Sequence, residues 1–123
     1  MCFCFKGAAT PIKPDDFRNE FDYLLVQWSH ERIAEMENFL LHLTQHIETF
    51  KASPNAEEKE RLLNEVNLVL GNTVGIHQFF EEELKRTDLN LLEKYIFGDG
   101  KISVEMLQKS FEQAEKEIEA VVV

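Results

Sequence analysis

The chain has 123 residues, 44% of them hydrophobic and ten of them Phe, a length and composition that suit one folded domain and exclude a disordered chain. Thirteen Lys and Arg against 23 Asp and Glu leave a formal charge of −10, whose field repels phosphate backbones and anionic lipid headgroups and argues against nucleic acid as a partner. The two cysteines, Cys2 and Cys4, are too few and too close for a disulfide framework, and the sequence shows neither an apolar run of roughly 18 residues nor a secretory leader, so the expected location is the cytoplasm, with no transmembrane segment.

Residues 1–14 hold two of the three prolines, a glycine and the apolar cluster Cys2, Phe3, Cys4 and Phe5, and read as an N-terminal arm packed on a body formed by residues 15–123. The stretch 15–52 has no Gly or Pro, and Asp15 and Asp16 offer an N-cap, which predicts helix. Two apolar stripes run along it at helical spacing: Phe17, Phe21, Leu24 and Trp28, then Met36, Leu40, Leu43, Ile47 and Phe50. They do not join, because Arg32 stands at the bridging position. Either one helix carries a polar layer at residues 29–32, or two helices meet there, the second capped by Ser29.

Ser53, Pro54 and Asn55 end that segment, and Asn55 followed by Glu58 has the spacing of a capping box. Leu62, Val66, Val69, Thr73, Ile76, Phe80 and Leu84 then keep helical phase through Gly71 and Gly75, predicting one helix to about Arg86. The spacing of those two glycines suggests close approach of another helix. A short third helix over residues 89–97, capped by Thr87 or Asp88 and ended by Gly98, precedes a turn at Asp99 and Gly100. Ser103 caps a last helix whose seam is Val104, Leu107, Phe111, Ala114, Ile118 and Val121. The fold class that follows is all-α, an antiparallel bundle of four to five helices built on a long helical hairpin. With residues 53–54 at the hairpin tip, positions whose numbers sum to about 107 lie level.

Several polar residues invite a chemical reading. His42 and His46 stand four apart on a helix, as do His77 and Glu81, and two helices carrying such pairs can hold a metal between them. In ligand type these four positions resemble the hemerythrin group of oxygen-binding di-iron bundles, with the pairs in reversed order; the resemblance implies a metal centre. Orientation opposes it, since His42 falls roughly 120° from the buried stripe and the four side chains do not converge. Arg32, Ser29 and His77 come to similar heights and form a candidate ligand-binding layer with Glu81. The alternative is a core His77 satisfied by a backbone carbonyl or by Ser29, with Arg32 reaching outward or pairing with Glu81.

Gly98, Asp99, Gly100, Lys101, Ile102, Ser103 and Glu105 resemble the second half of an EF-hand calcium loop. The resemblance would put ligands at Tyr95 and Phe97, which carry no carboxylate, and the closing Glu at Met106, one residue after Glu105, so the segment reads as a turn and an N-cap. Cys2 and Cys4 read as packing residues rather than a metal, redox or acylated pair.

No catalytic residues, cofactor or phosphate-binding loop emerge, and the expectation is a protein that is not an enzyme. The function favoured by the sequence is that of an acidic helical protein that binds another protein, as inhibitors, immunity proteins, chaperones and adaptors do, a basic partner being the one its field would steer. Phe3 and Phe5 of the arm, with Tyr23, Val26 and Leu41, which lie off the main stripes, are the interface expected for that partner, or for a second copy in a homodimer. The alternative is a bundle that binds a metal or small ligand through His77 and its neighbours.

Overall fold

In the computed structural model, which describes residues 13–123, one turn of 3-10 helix at Pro14–Asp16 leads into three helices: α1 Glu20–Ala52, α2 Ala56–Leu84 and α3 Leu91–Ala120. Among the described residues there is no strand. The all-helical expectation stands, but three helices replace the four to five expected.

Each helix starts at an Asn whose side chain takes a backbone N–H that the helix itself leaves unpaired. Asn19 accepts from Asp22 N, Asn55 from Glu58 N and Asn90 from Glu93 N. Asp15, Asp16, Thr87 and Asp88, the caps expected from sequence, start none of them. Asn90 and Glu93 form the full reciprocal box. At Asn55 the return half is missing, because Glu58 pairs instead with Arg61.

α1 is one helix of 33 residues, not two. Ser29 caps nothing; its hydroxyl donates to Val26 O at 2.9 Å and is satisfied within the helix. α2 runs unbroken through Gly71 and Gly75, though neither glycine marks a close approach, for a Cβ on either would meet nothing within 4 Å. The close approach is at Gly100. A Cβ there would stand 2.4 Å from Cζ of Phe80, so the missing side chain is a notch in α3 that the Phe80 ring fills. Hence the expected turn at Asp99 and Gly100, and the Ser103 cap, are absent: α3 passes through both glycines, and packing outweighs a helix cost of about 1 kcal/mol per glycine.

Connections of three and six residues, 53–55 and 85–90, make neighbouring helices antiparallel. The hairpin register is the expected one, with Trp28 against Phe79 at 6.5 Å between ring centroids and Thr73 donating to Met36 Sδ. The core is where the three seams meet. Leu43, Phe50, Leu62, Val66, Phe80, Phe97, Val104, Phe111 and Ile118 are buried there, each such side chain stabilising the fold by roughly 1.5–3 kcal/mol relative to exposure. α2 and α3 pack on each other far more closely than either packs on α1.

The first stripe of α1 departs from expectation. Phe17 is buried, but Phe21, Leu24 and Trp28 are 67%, 53% and 46% exposed, while Asp22, Val26, Ser29, His30 and Ile33 are buried in their place.

Candidate functional site

The polar layer predicted from sequence is dispersed. Ser29 is turned back onto its own helix, and Arg32 pairs with Glu35 at 2.7 Å while its guanidinium lies over the Trp28 ring, 5.9 Å from the centroid. Arg32 thus pairs along α1 and not with Glu81, and its Nε is buried without a hydrogen-bond partner. His77 meets neither Ser29 nor a backbone carbonyl. Its Nε2 lies 3.2 Å from Glu105 and its Nδ1 3.6 Å from Glu81, so the imidazole bridges α2 to α3, with Lys101 at 4.0 Å from the far oxygen of Glu81. Glu105 is not legible as the partner from sequence, where its helix reads as beginning two residues earlier, at a turn. This group is a chain of hydrogen-bonded and charged side chains tying two helices, with no nucleophile among them.

His42 and His46 are exposed on α1. Among the described residues, no group of three or more His, Cys, Asp or Glu side chains could hold a metal ion. The EF-hand-like segment supplies no cage either, since its residues are part of α3.

The expected interface divides in the same way. Val26 is fully buried, which removes it from any surface, and Tyr23 is half-buried with its ring edge-on to Phe17 at 5.6 Å. Leu41 is 59% exposed and lines a cleft of about 490 Å³ between α1 and α3 with Ala34, Asn38, Ser103 and Met106. Phe3, Phe5, Cys2 and Cys4, and most of the expected N-terminal arm, lie outside the described residues.

A buried polar cluster that the sequence analysis does not find lies at the end of the bundle where α1 and α3 begin. The Asp22 carboxylate is buried and receives both Nη atoms of Arg86, at 2.8 and 3.0 Å. Arg86 also reaches Glu83 and Asp88; these carboxylates hold its guanidinium firmly charged, and the guanidinium in turn draws the Asp88 carboxyl below its ordinary range. Beside them Glu93, fully buried, accepts from Arg18 N at 2.9 Å and from Asn90 N at 3.0 Å, so one carboxylate completes the α3 cap and ties down the segment entering α1. These contacts span 64 and 75 residues of sequence. Only the spacing of Asn90 and Glu93 could have signalled part of them.

The sequence profile of the family described as "Mite allergen Blo t 5" matches residues 7–123. The chain belongs to the mite allergen Blo t 5 family. It is 37% identical over 113 residues to mite allergen Blo t 21 of Blomia tropicalis, covering 92% of this chain and 88% of that protein, and 33% identical over 119 residues to mite allergen Blo t 5 of the same mite, covering 95% and 89%. A solved structure, "The NMR structure of a major allergen from dust mite", superposes with a TM-score of 0.64 at 35% identity, over 74% of this chain and 95% of that one. The crystal structure of dust mite allergen Der p 5 superposes with a TM-score of 0.69 over 80% and 98%; at 24% identity this likeness speaks for the fold alone.

Family membership corrects the function expected from sequence. The relatives are named as mite allergens, not as inhibitors, immunity proteins, chaperones or adaptors, and nothing in them or in the geometry around His77 supports a metal- or ligand-binding bundle. The physical reason is plain. An acidic surface and a few uncovered apolar side chains are compatible with any solvated helical bundle, and they do not specify a partner.

Proposed function

We propose that this chain is an allergen in the sense in which its relatives are named: a helical scaffold whose exposed surface is bound by the antibodies of a sensitised host. The observation that carries the reading is the family match over residues 7–123. It is supported by the likeness to Blo t 21 at 37% identity along 92% of the chain, enough to share both scaffold and part of the surface. Antibody recognition asks for a folded surface with exposed polar and aromatic groups, which the outer faces of α1 and α3 supply at Trp28, Tyr95, His42 and His46.

The reading includes no catalysis. What supports that is the chemistry of the polar clusters, in which carboxylates face arginines, backbone amides and an imidazole, with no hydroxyl or thiol beside a base. The charge of −10 supports leaving nucleic acid out as a partner.

The test is solid-phase binding of serum immunoglobulin E from donors whose antibodies recognise Blo t 21 and Blo t 5. Binding to the folded chain, reduced by soluble Blo t 21 as competitor, is the expected result. Sera that bind both relatives strongly and leave this chain unbound would overturn the proposal.

A further inference from the structure

The outer face of α3 carries a row of apolar side chains. Leu91, Tyr95, Ile102 and Met106 are 85%, 67%, 57% and 65% exposed. With Gly98 they step by 4, 3, 4 and 4, which sets them on one face of the helix over about 22 Å. A bundle helix ordinarily keeps that face polar, and a contiguous apolar row on it marks a contact surface.

The two ends of the row are unlike. At its start Leu91 projects, with Leu92 beside it, from the first turn of α3. The buried polar clamp, Asp22 on Arg86 with Glu93 on Arg18 N, holds that turn in place from beneath. At the other end the surface is hollow, for Met106, Ser103 and Leu41 line the cleft of about 490 Å³ on the seam with α1. Leu92 and the cleft lie on the same side of the row. Midway stands Gly98, where a Cβ would meet nothing within 4 Å, so the centre is bare of side chain and open. A projection and a hollow on one helix, on either side of a bare midpoint, are what a two-fold axis exchanges.

We infer that this face is self-complementary and that a second copy of the chain docks on it, α3 antiparallel to α3 and crossing near Gly98. Positions whose numbers sum to about 197 then lie level. Leu91 and Leu92 enter the cleft beside Met106 and Leu41 of the second copy, Tyr95 meets Ile102, and each contact occurs twice. The same edges of two antiparallel helices face one another, and at one edge the exposed Lys94 comes within two positions of level with Glu105. The occupant is a second copy because the row supplies its own counterpart in shape and, at that edge, in charge. Charge opposes the contact at the centre, where two Asp99 side chains approach the axis, and over the whole molecule, at −10 per chain. One helix face is also a small contact. The dimer is therefore weak, with a dissociation constant on the order of 10–100 µM, and it tightens as salt screens the like charges.

Sedimentation velocity of the full chain, from about 2 µM to about 1 mM and at about 50 and about 500 mM salt, tests this. The expected result is a monomer passing to a dimer, with a dissociation constant lower by roughly three-fold or more at the higher salt. Leu91→Lys and Ile102→Lys are expected to weaken the dimer by roughly ten-fold or more and to leave unfolding stability unchanged, since both side chains are exposed. Phe21→Lys, on the exposed face of α1, is expected to leave the dimer as it is. A monomer at every concentration and salt overturns the inference. A dimer weakened by Phe21→Lys and not by Ile102→Lys belongs to α1 and overturns it as well. The crossing is read separately, with Cys2→Ser and Cys4→Ser in place and oxidised glutathione as the oxidant. Gly98→Cys is expected to link in pairs roughly ten-fold faster than Gln45→Cys, a position exposed on α1; equal rates would rule out the antiparallel arrangement.

Discussion

At position 100 a hydrogen atom in place of a methyl group decides how close two helices come. Adding that methyl brings it to 2.4 Å from the Phe80 ring, a ring fully buried and in contact with Phe79 and Phe97 at 5.1 and 6.4 Å. Gly100→Ala is therefore expected to lower unfolding stability by about 1–3 kcal/mol, overpacking outweighing the gain in helix propensity. Gly98→Ala, two residues away with nothing within 4 Å of the new Cβ, is expected to raise it by about 0.5–1 kcal/mol. Urea unfolding of the two variants checks the contrast, and equal effects of one sign would refute it. His30 bears on the same scale. Burial pushes its imidazole pKa down from 6.5 to about 4. The unfolded chain takes up this proton below pH 6.5 while the folded chain does not, so the contribution is complete above 6.5 and is lost as pH falls toward 4, a loss of up to about 3 kcal/mol. Chemical denaturation at pH 4.5 and pH 7.5 should show this slope in the natural chain and a shallower one in His30→Leu.

At the scale of elements, the polar clamp has to be separated from the caps. Asn55→Ala and Asn90→Ala each remove an N-cap acceptor and are expected to cost about 1 kcal/mol. Glu93→Ala strands two partly buried backbone donors and is expected to cost about 1–3 kcal/mol, read as the midpoint of thermal or urea unfolding. Were Glu93→Ala no worse than Asn55→Ala, the tie to Arg18 would contribute nothing. The sequence foretold the elements unevenly. The seams at 36–50, 62–84 and 104–118 were legible because long runs of one period leave a single face to bury. The stripe of Phe21, Leu24 and Trp28 has the same period, but periodicity names a face without naming what covers it. From the sequence Gly98 reads as a helix end and Gly100 as part of a turn, because glycine is usually placed for its backbone freedom, whereas Gly100 serves by having no side chain. The candidate site was least legible of all. Asp22 and Arg86 stand 64 positions apart, and no local pattern links them.

Taken whole, the molecule is a close pair of helices with a third laid along it. Surface ion pairs such as Lys51 with Glu117, which raises the lysine's affinity for its proton, join α1 to α3 at the far end, but exposed pairs contribute little to holding it. The burden falls on the apolar seam from Met36 to Phe50 and on the buried clamp. No helix among the described residues is long and apolar enough to cross a membrane. Antibodies that bind α2 and α3 are thus expected to meet a firmer surface than those that bind the start of α1.

The ring of Phe80 lodged against Gly100 has a mechanical meaning. Were one helix to slide along the other by a single turn, the ring would run into Val104 in one direction or into Ile96 and Phe97 in the other, all bulky and all buried. The pair is keyed like a bolt in its only slot. Extra residues inserted into the connection 85–90 should bulge outward and leave both rods where they are.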